Sequence, residues 1–247
     1  MTELVSIIMP AYNSARFIRE SIDSVLAQTY TEWELLIVDD CSTDNTKEVV
    51  QSYSDERIHY FCNEKNCGAA VTRNRALQQA KSRYIAFLDS DDLWTPDKLE
   101  KQIAFMQQNG YAFTFTDYQI INEDGSPQNK TLHMPASLTY RQYCCNTAIG
   151  CLTVLIDRQM TGPFEMPDIR SSHDMGLWLD IMRRGFTAYS LPECLASYRI
   201  VATSNTAKKW KAAKDVWRVY RELEHMGIIA SAYCFCGYAW HAILKRI

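Results

Sequence analysis

The chain has 247 residues, 47% of them hydrophobic and 22% charged, proportions of an average globular protein that exclude disorder, collagen-like repeats and coiled coil. Lysine and arginine number 26 against 29 acidic residues, a net charge of −3. A protein that grips a long nucleic-acid backbone is basic, so no nucleic-acid partner is expected and any basic patch must be local.

In chain order, Val5–Met9 is a strand candidate closed by Pro10. Phe17, Ile18, Ile22, Val25 and Leu26 then recur at helical spacing. Leu35–Val38 predicts a second strand and Asp44–Tyr53 a helix, with Asp44 near its positive end. Ile58–Phe61, Ala69–Ala80 and Tyr84–Leu88 continue the alternation as strand, helix and strand. Thr95-Pro96 opens a helix that stops near Asn109-Gly110. Beyond it, Tyr111–Ile121, Leu152–Ile156 and Leu195–Ile200 read as strands and Met175–Arg184 as a helix. Short, continuously apolar strands alternating with helices predict an α/β fold, a mostly parallel sheet covered on both faces. In such sheets ligands bind beyond the carboxyl ends of the strands. Three segments meet that condition: Pro10–Asn13, Asp39–Asp40 and Asp89–Asp92.

Nine cysteines, an odd number with no CxxC pair, signal neither a disulfide framework nor a zinc site and fit a reducing compartment. The N-terminus lacks the basic and small-residue features of a signal peptide. The expected location is cytoplasmic.

The sharpest motif is Phe87-Leu88-Asp89-Ser90-Asp91-Asp92. Three carboxylates crowded at the end of a buried strand repel unless a cation or donor offsets them. Hard oxygen ligands at i and i+2 suit Mg²⁺ or Mn²⁺ shared with a substrate phosphate. The alternative is an acidic turn capping the next helix. In Val38-Asp39-Asp40-Cys41-Ser42-Thr43-Asp44 a carboxylate could accept from a nucleotide base or ribose, or the segment could be an Asx turn with a helix cap. In Pro10-Ala11-Tyr12-Asn13 the tyrosine could stack on a base; an ordinary turn is the other reading. Arg73, early in the third helix, could bind a diphosphate bidentately or be a plain surface residue.

The ordered set PAYN, VDDCSTDNT, NxGxxxxRN and FLDSDD, with Ser172-His173-Asp174 and Tyr198-Arg199 further on, resembles the family 2 inverting glycosyltransferases of GT-A type. The members most alike build bacterial teichuronic acid, O-antigen and capsule. The resemblance implies one GT-A domain over residues 1–204, a mixed, mostly parallel sheet with helices on both faces, followed by amphipathic C-terminal helices over 205–247. It further implies a metal-dependent hexosyltransferase that moves a sugar from a UDP-sugar to a hydroxyl of a growing, lipid-linked surface glycan. Under it Pro10, Ala11, Tyr12, Asn13, Asp40, Arg73, Asp89 and Ser90 bind the donor. Asp91, with Asp89, carries Mn²⁺ or Mg²⁺, and Asp174 is the general base. The family has Glu-Asp where this chain has His173-Asp174, which leaves the base in place and puts a histidine where the glutamate stands. His173, Arg199, Lys208 and Lys209 are candidate contacts for the acceptor or the diphosphate.

Rival readings are a sugar-1-phosphate nucleotidyltransferase, whose first loop would be glycine-rich with an arginine, a haloacid-type phosphatase, whose acidic pair follows its first strand, and an inactive nucleotide-sugar-binding module. At the C-terminus, Trp210, Ala213, Trp217, Tyr220 and Leu223 form one helical stripe beside six lysines and arginines and one aspartate between 208 and 221. Met226–Leu244 then carries no Asp, Glu, Lys or Arg. This pattern predicts peripheral attachment to an anionic membrane surface, on the inner face of the cell membrane, or else a helix that simply covers the domain.

Overall fold

The structure is a computed structural model that describes residues 3–201 and 209–244. One ten-stranded sheet organises it. Four parallel strands, β1 (Val5–Ala11), β2 (Trp33–Asp39), β3 (Ile58–Cys62) and β4 (Tyr84–Phe87), lie in the order β3-β2-β1-β4. The sheet then continues through β9 (Leu155–Asp157), β6 (Phe113–Ile121), β10 (Ala188–Arg199) and β5 (Leu93–Trp94). β9 runs antiparallel to both β4 and β6, whereas β6 and β10 are parallel. β7 (Pro127–Leu132) and β8 (Ser137–Leu138) pair antiparallel onto β6 and β10.

Strand alternation produces two cores. Ile7, Met9, Leu35, Ile37 and Ala86 point to one face, and Ile8, Leu36, Val38, Ile85 and Phe87 to the other; all are buried. Neither face of the central strands meets water, which is why they read as unbroken apolar runs. Helices α1 (Ile18–Leu26) and α4 (Lys98–Asn109) supply residues to the first core; α3 (Ala69–Gln79) and α7 (His173–Arg183) supply the second. Trp178 of α7, fully buried, meets Phe87 and Phe113 ring to ring.

Three departures from the sequence pattern have local causes. The helix expected at Thr95-Pro96 begins at Lys98, because Leu93–Trp94 first pairs with β10 and the Trp94 indole donates to the Leu152 carbonyl at 2.8 Å. β10 starts at Ala188 rather than Leu195, and its register shifts on either side of Cys194, next to Pro192, which has no N–H to give the ladder. β7 is polar and largely exposed on an edge, so no apolar alternation announces it. The remaining helices are α2 (Thr46–Gln51), α5 (Tyr140–Cys145), α6 (Arg158–Thr161), α8 (Lys209–Arg218) and α9 (Ile228–Leu244).

After α8 a π-helical turn, Val219–Leu223, changes the buried face. Val216, Val219 and Tyr220 enter the core, and the Tyr220 hydroxyl donates to the Cys144 carbonyl at 2.5 Å. The segment therefore packs on the domain along one face, as the covering-helix reading expected. Its other side stays open. On α9, Ile229 is 88% exposed, Tyr233 74% and Trp240 61%. Among the described residues no helix is long and apolar enough to cross a membrane. The boundary expected at 204/205 and Lys208 lie outside the described residues.

Candidate active site

The carboxyl ends of β1, β2 and β4 emerge on one sheet edge, where strand order reverses about β1 and β4. Beside them opens a cleft of about 490 Å³. Its walls carry Arg73 from α3, Asp89 and Asp92 from the loop after β4, and His173 and Asp174 from the start of α7. Tyr118, Leu152 and Tyr198 complete one side and Arg170 another; Ala212 and Asp215 of α8 close it.

Arg73 is the hub. It is buried, pairs with the Asp89 carboxylate and donates to His173 Nε2 at 2.6 Å. Burial works against its charge, but Asp89 and, more weakly, Asp174 outweigh that and keep the guanidinium protonated. Because arginine has no acceptor, His173 Nε2 must accept. Burial first, and the neighbouring positive charge second, push the imidazole below its ordinary value, so His173 stands neutral beside the general-base candidate. It does not act as a helix cap: the residue before α7, Ser172, has a left-handed backbone (φ 59°) and caps nothing with its side chain.

The acidic loop is only partly compensated, since Arg73 pairs with Asp89 alone. Burial and the charge of Asp89 push Asp91 up to about 6. Asp92 is raised further, by burial and then by Asp91 and Asp89. One Asp92 oxygen accepts the Arg199 backbone N–H at 2.8 Å, while the other is buried with no partner. Among the described residues no three His, Cys, Asp or Glu side chains form a closed metal cage. The donor set nevertheless fits a hard cation that completes its shell with substrate oxygens: carboxylates at i and i+2, one of them raised by burial and its neighbour's charge, and an orphaned oxygen next to them.

The acidic loop is braced from behind. Arg199 is 1% exposed, and its Nε and two terminal nitrogens donate to the Asp91 carbonyl (2.8 Å), the Glu123 carbonyl (2.9 Å) and Glu20 (2.6 Å). With every nitrogen engaged, its guanidinium is committed to holding the loop from behind. Ser90 is buried and bonds Ser14 across the β1 end at 2.8 Å.

The β1 and β2 ends lie outside the cleft's walls. Pro10 is half-buried, Ala11 buried, and Tyr12 half exposed. Asn13 takes a left-handed backbone (φ 49°) and its side chain accepts from the Thr43 N–H, tying this turn to the next strand end. Asp40 accepts from Asn63 and from the backbone N–H groups of Cys67 and Gly68, each at 2.8 Å. It caps α3 from a distance, since Gly68 (φ 87°) has no side chain to do so. Burial alone would raise this carboxyl; the three donors more than offset it and hold it below its usual range. Of the two basic residues proposed from the C-terminal run, Lys209 opens α8.

Tyr118, Arg170 and Asp215 had no motif to mark them. Tyr118 sits in the half-buried stretch of β6, and Asp215 is the lone acid of the basic run. Only the fold carries them to the cleft.

Residues 6–159 match the model of glycosyl transferase family 2. The chain belongs to that family. It is 51% identical over 99% of its length to a Bacillus subtilis protein named as a teichuronic acid biosynthesis glycosyltransferase, TuaG, of which it covers 98%. It is 44% identical over 87% of its length to an Escherichia coli protein, WfgD, named as a UDP-Glc:alpha-D-GlcNAc-diphosphoundecaprenol beta-1,3-glucosyltransferase, of which it covers 85%. The fold matches S. aureus TarS 1–349, solved with UDP-GlcNAc, at a TM-score of 0.72 and 22% identity, over 88% of this chain and 64% of that longer one. It also matches a Pyrobaculum calidifontis mannosyltransferase solved with GDP-Man and Mn²⁺, at a TM-score of 0.74 and 17% identity, over 99% and 71%. The family 2 fold confirms the GT-A architecture expected from the motifs and sets aside the nucleotidyltransferase and phosphatase readings.

Proposed function

We propose that this glycosyltransferase moves a sugar from a UDP-sugar to a hydroxyl of a lipid-linked glycan and inverts the anomeric centre. One observation carries the reading: Asp89 and Asp92 share a single cleft with Asp174, and Arg73 lies between the two groups. Displacing a nucleoside diphosphate from carbon requires neutralised charge on the leaving group and a base on the attacking hydroxyl. In this reading the acidic loop serves the first task and Asp174, at the start of α7, the second. The names of the curated relatives, a teichuronic acid enzyme and a diphosphoundecaprenol glucosyltransferase, support the substrate class.

In this reading Asp89 and Asp91 would hold Mn²⁺ or Mg²⁺, which when bound supplies Lewis-acid neutralisation of the departing diphosphate. Asp174 takes the proton from the acceptor hydroxyl as its oxygen bonds to the anomeric carbon and the bond to UDP breaks. Neutral His173 fixes Arg73, which holds Asp89 in position. Asp40 and the Pro10–Asn13 turn receive the nucleoside on the edge next to the cleft. The open face of α9, with the basic α8 before it, attaches the enzyme to an anionic membrane where a lipid-linked acceptor resides.

The test is a screen of UDP-sugars with and without Mn²⁺, followed by NMR of the product. An α-linked donor must give a β linkage; an α product overturns the single-displacement reading. Binding to anionic vesicles at low salt checks the attachment, and a protein that ignores them refutes it.

A further inference from the structure

The cleft has a second cationic residue with a different character from Arg73. Arg170 is exposed at the wall, and no described residue forms a hydrogen bond or ion pair with its side chain. Arg73, by contrast, is buried and already committed to Asp89 and His173. The loop that presents Arg170 is built, not slack. Next to it, Ser171 donates to the buried Asp215 of α8 at 2.5 Å, and Ser172 turns through a left-handed conformation into α7. Four residues after Arg170 stands Asp174, so this guanidinium lies on the wall from which the acceptor hydroxyl is deprotonated.

A planar guanidinium with unused donors is suited to an anionic oxygen pair, above all a diphosphate. The donor's diphosphate would meet its counter-charge in the cation that Asp89 and Asp91 hold. A second anionic group is therefore expected on the α7 side. We propose that Arg170 is the specificity-determining residue for the acceptor, reading the diphosphate that joins the acceptor sugar to its lipid. The inference rests on the lipid-linked reading above and adds to it the residue that senses the linkage.

The experiment compares two acceptors with the same sugar and the same short alkyl chain, one joined through a diphosphate and one through a neutral glycosidic oxygen. Wild type uses the diphosphate acceptor with a kcat/KM roughly tenfold or more above the neutral one, as a charge-assisted contact allows. Arg170→Gln removes that preference by raising KM for the diphosphate acceptor alone. Arg170→Lys, a point charge without the fork, recovers part of it. The Kd for UDP with Mn²⁺ stays at the wild-type value in both variants, which also reports an intact fold. The proposal is overturned if wild type uses the two acceptors equally, if Arg170→Gln slows both alike, or if it weakens UDP binding, which would assign Arg170 to the donor. Transfer to neither acceptor by wild type would instead overturn the functional reading and this inference with it.

Discussion

Two strand ends on the same sheet edge carry adjacent aspartates, and they have opposite electrostatic states. After β2, Asp39 accepts from the Ser42 N–H and the Tyr60 hydroxyl, and Asp40 from three donors of the α3 entrance. After β4, half-buried Asp91 and buried Asp92 stand beside Asp89 with one hydrogen bond to a side-chain oxygen between them, from the Arg199 backbone. The first pair is satisfied by its own chain, and its donors hold the Asp40 carboxyl below its usual range. The second is raised because burial and like charges meet too few donors. A satisfied carboxylate builds the fold; a crowded and unsatisfied one leaves free energy for a ligand to recover.

The sharpest way to break that contrast is Asp91→Asn. If the loop is poised for a cation, turnover with Mn²⁺ falls by about 10⁴-fold, since cation stabilisation of the leaving group is worth several kcal/mol. The same change relieves repulsion, so the metal-free protein should melt a few degrees higher than wild type. Steady-state kinetics and a melting curve without metal check both halves. An active variant, or one that melts lower, would mean that the acidic loop is structural like its counterpart after β2.

Asp174→Asn tests the facing wall. Removing a general base costs about 10³-fold in kcat, within the usual span for proton transfer, while UDP affinity measured by calorimetry stays unchanged. A loss of UDP binding would place Asp174 with the donor instead.

The contrast also marks what a sequence reader could and could not see. The four parallel strands, their helices and the acidic strand ends were legible because buried strands are continuously apolar and the aspartates directly follow them. That Asp40 caps α3 was not legible, because its partners Asn63, Cys67 and Gly68 lie more than twenty residues away and meet it only through the β2–β3 pairing. Arg199 showed the same limit. The family resemblance made it a candidate contact for the acceptor or the diphosphate, but three long-range hydrogen bonds turn it inward behind the acidic loop. The edge strands β7 and β8 and the entry of Val216 and Val219 into the core beside Tyr220 depend on tertiary pairing and on a π turn; of these three core residues the apolar stripe held only Tyr220.

Asp40→Asn sharpens the satisfied half of the comparison. An amide in that place turns a donor toward the Asn63, Cys67 and Gly68 N–H groups, at a cost of about 1–3 kcal/mol, and the melting temperature drops by several degrees. Because the folded carboxyl is held below its usual range, its contribution is present above that range and is lost as pH falls through the depressed folded value. The gap between wild type and variant should therefore close in acid. A gap that persists unchanged at low pH would show that the three donors do not favour the ionised form.

The smallest effect on activity belongs to Lys98, a control for the idea that an uncompensated buried charge marks a ligand site. Its ammonium is fully buried over the Trp94 ring, with Gln102 as its hydrogen-bond acceptor at 2.8 Å and no carboxylate partner among the described residues, and burial pushes it down to about 7. It lies outside the cleft's walls. Below pH 7 both folded and unfolded chains hold this proton, so the full cost of burying the charge is present. Between about 7 and the ordinary lysine value the unfolded chain binds more protons than the folded one, and stability rises with pH by up to about 1.4 kcal/mol per unit. Lys98→Met should abolish that rise, stabilise the protein by about 1 kcal/mol near neutrality, and leave kcat and KM at wild-type values. Denaturant melts at pH 6.5 and 9 (chosen to span about 7) read the slope. If the variant instead loses transfer, buried charge alone cannot separate ligand-binding loops from structural ones, and the division between the two strand ends would rest on the cleft's geometry.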